Sequence, residues 1–217
     1  AATKKRSKPA AVNLGRSPQL ARTSQLPGCG FGERQCQTEM QQNNSMLYLK
    51  CTGAVQKTLV LSKTSFIDAM PSAAPLGNWY VHCFDIGRRK AYVFMSEATL
   101  LSFVLYQGKK PVTAESLPNM MLAGLQQLLQ MRGISEDAIE RALAPYHEGR
   151  FAKTNNRPDM GSLNDLVQRY QWIIEDAGGL DQCDLTQIIM GTNEMPQRRL
   201  GWCTSWEITE SKIQLLN

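Results

Sequence analysis

Trp79-Tyr-Val-His-Cys-Phe-Asp-Ile86, Gly87-Arg88-Arg89 and Lys90-Ala-Tyr-Val-Phe-Met95 follow one another in a chain of 217 residues. The two outer runs are aromatic and β-branched, residue types that suit a pleated, half-buried surface, and a glycine with two arginines parts them. This pattern predicts a β-hairpin. A third run, Leu101-Ser-Phe-Val-Leu-Tyr106, is expected to join the same antiparallel sheet before Gly108. The aromatic side chains along these runs read as sheet packing.

Upstream, Met46-Leu-Tyr-Leu-Lys-Cys-Thr52 has strand character and Gly53 ends it. Ala54 to Ser62 reads as a short helix, and 69–77, with Pro71, Pro75 and Gly77, as a loop. Downstream the period changes. Leu117, Met121, Leu125 and Leu129 recur every four residues between Glu115 and Gln130, the stripe of an amphipathic helix, and Gly133 stands where a C-terminal cap belongs. Ser135 opens a second helix that Pro145 stops. Ser162, with Asp165 three residues on, predicts the cap of a third, whose apolar face runs from Leu163 to Ile174 and which Gly178-Gly179 ends. Leu185 to Met190 fits either type of element, and the last fifteen residues are expected outside the core. The fold class that follows is α+β. It comprises a small antiparallel sheet with a β-hairpin, packed against about three helices in a single domain over 46–217.

Charge divides the chain at the same place. The formal net charge is +5, and residues 1–45 carry seven Lys or Arg against Glu33 and Glu39, which accounts for all of it. The remainder is balanced at seventeen of each sign. Residues 1–45 are rich in Ser, Thr, Gln, Gly and Pro without periodicity, which predicts a disordered basic leader, with Met46 the natural start of the domain. A neutral body argues against a domain-wide nucleic-acid surface, so nucleic acid would be met through the leader or through local clusters such as Arg88 and Arg89. No apolar run is long enough to span a bilayer, and no h-region follows the basic opening, so a cytoplasmic protein without a membrane role is expected.

Six cysteines and two histidines lack zinc-knuckle or redox spacing. Cys51, Cys83, Cys183 and Cys203 read as reduced, buried thiols, Cys29 and Cys36 lie in the leader, and no metal or cofactor is expected. His82 and Cys83 are strand neighbours, so they point to opposite faces and cannot act as a pair.

Two polar clusters could carry function. Phe151-Ala-Lys-Thr-Asn-Asn-Arg157 gathers Lys153, Asn156 and Arg157 ahead of Ser162 and Asp165. A lysine and an arginine before a helix start favour a phosphate or carboxylate, because free N–H groups and the helix dipole point the same way. The plain alternative is a polar loop before an ordinary cap. Arg88, Arg89 and Lys90 form the second cluster, at the hairpin turn, where Asp85 screens part of the charge. There is no P-loop, G-x-S-x-G or H-E-x-x-H.

Met46-Leu-Tyr-Leu-Lys-Cys-Thr52, Asn78-Trp79-Tyr80, Asp85-Ile-Gly-Arg-Arg-Lys90 and Phe151-Ala-Lys-Thr-Asn-Asn-Arg157 occur in order, followed by Gly161-Ser-Leu-Asn-Asp165 and Asn193-Glu-Met-Pro196. Together they resemble a family of small bacterial stand-alone proteins of unknown function, from Met46 to about Trp202. The resemblance implies an α+β domain and supplies no reaction. The expectation is a non-enzymatic binding or regulatory module for a protein or an anionic partner. The rival is an enzyme acting on a phosphate-containing substrate, with Lys153 and Arg157 gripping the anion and Asp165 as base. A third possibility is a structural partner protein.

Overall fold

The computed structural model describes residues 46–154 and 156–216. The reading of 1–45 as a disordered leader lies outside the described residues. In chain order the elements are β1 (Met46–Cys51), α1 (Gly53–Thr58), β2 (Phe66–Ile67), β3 (Trp79–Ile86), β4 (Arg89–Ser96), β5 (Ser102–Tyr106), α2 (Ser116–Met131), α3 (Glu136–Leu143), β6 (Glu148–Lys153), α4 (Arg157–Asp176), α5 (Leu185–Asn193) and α6 (Ser205–Gln214). Single 3₁₀ turns stand at Lys63–Ser65 and Arg198–Leu200. None of the described helices is long and apolar enough to cross a membrane.

The strands form one six-stranded sheet in the order β2-β6-β1-β3-β4-β5. The expected antiparallel unit is present as β3-β4-β5, paired from Trp79↔Ser96 to Ile86↔Arg89 and from Ala91↔Tyr106 to Met95↔Ser102. It is only half of the sheet. β1 lies parallel to both β3 and β6, and β2 is parallel to β6. The small antiparallel sheet is therefore corrected to a larger mixed one. The physical reason lies in β6, whose Glu-Gly-Arg-Phe-Ala-Lys carries almost no strand propensity. Its conformation comes from six residues of register against β1, from Met46↔Glu148 to Cys51↔Lys153.

Helices cover both faces, and there are six among the described residues rather than about three. Phe103 and Leu105 point at α2. There Gly124 sits so close that a Cβ would stand 2.9 Å from Phe103 and 2.7 Å from Leu105. Ser102, on the opposite face, meets the Tyr170 hydroxyl of α4 at 3.0 Å. In the core Phe94 stacks on Phe103, which Trp79 meets edge-on, and Trp79 Nε1 donates to the Tyr146 hydroxyl at 3.1 Å. The open edge at β5 is covered. Asn193 of α5 accepts from Ser102 N at 2.8 Å and donates to Ser102 O at 2.6 Å, a side-chain amide in the place of the next strand.

Two further expectations change. Leu185 to Met190 is helical, opened by Asp184, whose carboxylate accepts from Gln187 N. The segment expected outside the core reaches it through α6, which buries Ser205, Trp206, Thr209 and Ile213 behind a capping box of Thr204 and Glu207.

Candidate functional site

The cluster around Lys153 lies where the topology favours a ligand. β1 and β6 are adjacent and parallel, yet their following helices take opposite faces. Thr58 of α1 meets Cys83 on one face, and Asp159 of α4 meets Tyr80 on the other. Open α/β sheets bind ligands at such a point, outside the carboxyl ends of the strands. The local chemistry differs from the expectation. Helix α4 begins at Arg157, with proline in its first turn, and not at Ser162. Asn156 is the cap residue and makes no side-chain cap bond. Ser162 is interior to the helix, its hydroxyl donating to Pro158 O at 3.3 Å, so the predicted capping box with Asp165 is absent.

Lys153, Asn156, Arg157 and Asp165 are exposed. Asp165 stands eight residues along α4 from Arg157, roughly 12 Å of helical rise. Those three charged groups form no ion pair with each other. Asn155 lies outside the described residues.

The anion that meets the start of α4 is the chain's own. Asp159, in the first turn and 1% exposed, accepts from the Tyr80 hydroxyl at 2.8 Å and from Arg199. Arg199 also donates to Ser162 Oγ at 3.2 Å. Burial, then the bond to Asp159, raises the pKa of Tyr80 well above the ordinary phenol value, so it stays a donor. Beside Tyr80 in the parallel register stands Lys50, which pairs with Glu97 at 2.6 Å and lies 5.1 Å from the Tyr80 ring centre. Lys50, Tyr80, Glu97, Asp159 and Arg199 thus form a closed network across β1, β3, α4 and the turn before α6. The negative charge of Asp159 suits the positive end of the helix and answers it internally.

The hairpin turn is different. Gly87, at φ +58, opens a two-residue turn, and Arg89 is already in β4. Arg89 pairs with Asp181 at 2.7 Å, and its guanidinium lies 5.5 Å from the Tyr106 ring centre. Lys90 pairs with Asp85 at 3.0 Å. Across from them the chain leaving β5 is tied down by Gln107 N donating to Lys90 O at 2.7 Å. Between the two arms lies a cleft of about 400 Å³, walled by Arg88, Arg89 and Lys90 on one side and by Tyr106 to Lys109 on the other. No acid lines it. Among the described residues Arg88 and Lys109 have no ion-pair partner. The cavity of about 300 Å³ beside Arg132 contrasts with it, since Arg132 is held by Glu194 and Glu210.

Sequence reasoning finds the Arg88 side of this cleft and misses Tyr106 and Lys109, which only the sheet register brings opposite. It also misses Asp159, Tyr80, Lys50, Glu97 and Arg199. His82 and Cys83 do face apart: His82 Nδ1 meets Thr52 Oγ1 at 3.0 Å and Cys83 meets Thr58 at 3.3 Å. Burial pushes the Cys51 thiol up to about 12, which leaves it inert. Among the described residues no three His, Cys, Asp or Glu side chains gather to hold a metal ion.

No curated protein matches the chain. A family model does match, over residues 48–208, which takes in the sheet except for Met46 and Leu47, together with the cleft and the buried network. The chain therefore belongs to the family described as Domain of unknown function (DUF6933).

Proposed function

We propose that this domain is a non-enzymatic binding module that holds an anionic group of its partner in the cleft between the β3–β4 turn and the end of β5. The observation that carries the reading is a cleft that no acid lines and in which Arg88 and Lys109 lack ion-pair partners, among the described residues. Two unpaired cations on facing walls of a concavity are a ready site for phosphate or carboxylate oxygens, and the arginine fork can bind such a group bidentately. Arg89 and Lys90 have exposed or half-exposed partners in Asp181 and Asp85, contacts worth only about 0–1 kcal/mol each, so they can turn to a ligand at little cost. The enzyme reading loses support because Lys153, Arg157 and Asp165 are exposed and spread along the start of α4 rather than gathered in a pocket.

The test is titration of the full chain with tripolyphosphate and with a glutamate-rich peptide, followed by calorimetry. The parent is expected to bind at least one of them in a salt-sensitive way, and Arg88→Ala/Lys109→Ala to lose about tenfold or more, the scale of two charge-assisted contacts. Equal binding by parent and double variant would refute the reading.

A further inference from the structure

We infer that the anion is a phosphate of single-stranded nucleic acid, with one base stacked on Tyr106 and the flanking backbone against Arg88 and Lys109. The inference rests on the anion-binding reading and names its ligand.

The carrier is Tyr106. A site for bare phosphate or carboxylate needs donors and positive charge and has no use for a flat aromatic face. Yet Tyr106 is 45% exposed at the end of β5, inside the wall of the cationic cleft. The Arg89 guanidinium lies over one side of its ring, 5.5 Å from the centre. The ring thus offers a base its π-face beside a cation. Stacking on such a platform beside cations is how single strands are bound with little sequence preference.

The rest of the cleft fits the same ligand. Arg88 and Lys109 stand on opposite walls, so a strand crossing Tyr106 meets positive charge on both walls. A Cβ built at Gly108 would touch nothing within 4 Å, so the chain there leaves open space for a sugar-phosphate backbone. Gln107 carries both a donor and an acceptor for a base edge. A cleft of about 400 Å³ is within the range that encloses a small ligand, and it has no room for a duplex. Bases in a duplex are already stacked and cannot offer a face to Tyr106. A run of acidic residues could satisfy the cations, but its carboxylates gain nothing from the face of the ring.

The experiment is fluorescence anisotropy of a labelled oligothymidine strand with the full chain at about 0.15 M salt, where exposed charges are screened beyond roughly 8 Å. It compares the parent, Tyr106→Ala, Tyr106→Phe and Arg88→Ala/Lys109→Ala, with tripolyphosphate titrated in parallel and the matching duplex as a further ligand. Residues 1–45 are common to all variants, and any binding by them adds equally to each association constant, so the cleft's losses are read from the differences between constants. Thermal melts check that each variant folds. The expected result is a roughly 5- to 100-fold loss of strand affinity in Tyr106→Ala, with tripolyphosphate binding unchanged. Tyr106→Phe should bind like the parent, and the duplex more weakly than the strand. If Tyr106→Ala binds the strand as the parent does while the double variant loses tripolyphosphate, the anion site stands and the nucleic-acid inference fails. Duplex binding as tight as strand binding also overturns it. If the double variant loses neither ligand, both readings fail together.

Discussion

Replacing Arg199 by methionine removes the positive partner of a carboxylate that is 1% exposed while keeping most of the side-chain volume. Breaking a fully buried pair from one side costs about 3–5 kcal/mol, because a charge is left in a medium that cannot solvate it. Two features of the structure reduce that figure. Arg199 is itself 37% exposed, so water can take over part of its role, and the Tyr80 hydroxyl still donates to Asp159. An expected loss of about 1.5–3 kcal/mol follows. For a domain of this size that lowers the melting temperature by roughly 4–10 °C. The assay is thermal and urea unfolding of the parent, Arg199→Met, Asp159→Asn and the double variant, with Arg198→Met as control. Arg198 is the exposed neighbour without an ion pair among the described residues, and its replacement should change stability by less than about 0.5 kcal/mol. The double variant should lose less than the two single losses added, with a coupling of about 1 kcal/mol or more. A parent-like melt for Arg199→Met, or additive single losses, would show that the network contributes nothing measurable.

Asn193→Leu strips the cap from the β5 edge, leaving Ser102 N buried without its partner and Ser102 O with only the Tyr170 hydroxyl, at an expected cost of about 1–3 kcal/mol. Concentration-dependent light scattering should rise with it as the edge opens, and a variant as stable and monodisperse as the parent would contradict the capping role. Tyr92 carries a buried hydroxyl without a hydrogen-bond partner among the described residues, and burial, then Cys83 and Asp85, pushes its pKa up to about 12. The folded state thus holds this proton more tightly than the unfolded chain, so its contribution is full below the unfolded value near 10 and is lost as pH rises toward 12. Tyr92→Phe should be as stable as the parent at pH 7 and lose less stability between pH 10 and 12. Parallel pH curves for the two proteins would refute the assignment.

The antiparallel half of the sheet was legible because each of its strands carries its own signal. Trp79 to Met95 and Leu101 to Tyr106 are dense in residues that form strands in any sheet context. β6 was not legible, since Glu148 to Lys153 is polar and becomes a strand only through β1, about a hundred residues upstream. The long helix α2 shows the reverse, its apolar period and Gly133 at φ +84 placing both body and end. Two helix starts were open to a better reading. Thr204 and Glu207 have the capping-box spacing that α6 uses, but their place near the end of the chain suggests a tail. Pro158 followed by Asp159 is a helix-start pattern, and the similar-looking Ser162 and Asp165 competed with it. Of the candidate site, the cations of the turn were readable from local sequence. Tyr106 and Lys109 were not, because their place opposite Arg88 depends on the β4–β5 register.

These misplacements bear on which cluster can hold a ligand. Both clusters carry positive charge, and charge alone does not separate them. What separates them is whether the surroundings already supply the counter-charge. At the start of α4 the helix dipole is answered by Asp159, itself held by Tyr80 and Arg199, while Lys153 and Arg157 project outward. An incoming phosphate there would approach a fixed carboxylate and gain little from the helix. At the hairpin the acids are outside the cleft and exposed, with Asp181 69% and Asp85 68% accessible, so their screening is weak and easily exchanged. With the body otherwise neutral, long-range attraction is small, and affinity has to come from contacts inside the cleft. That is why removing the uncharged ring of Tyr106 is a sharper test of the ligand than removing any single cation.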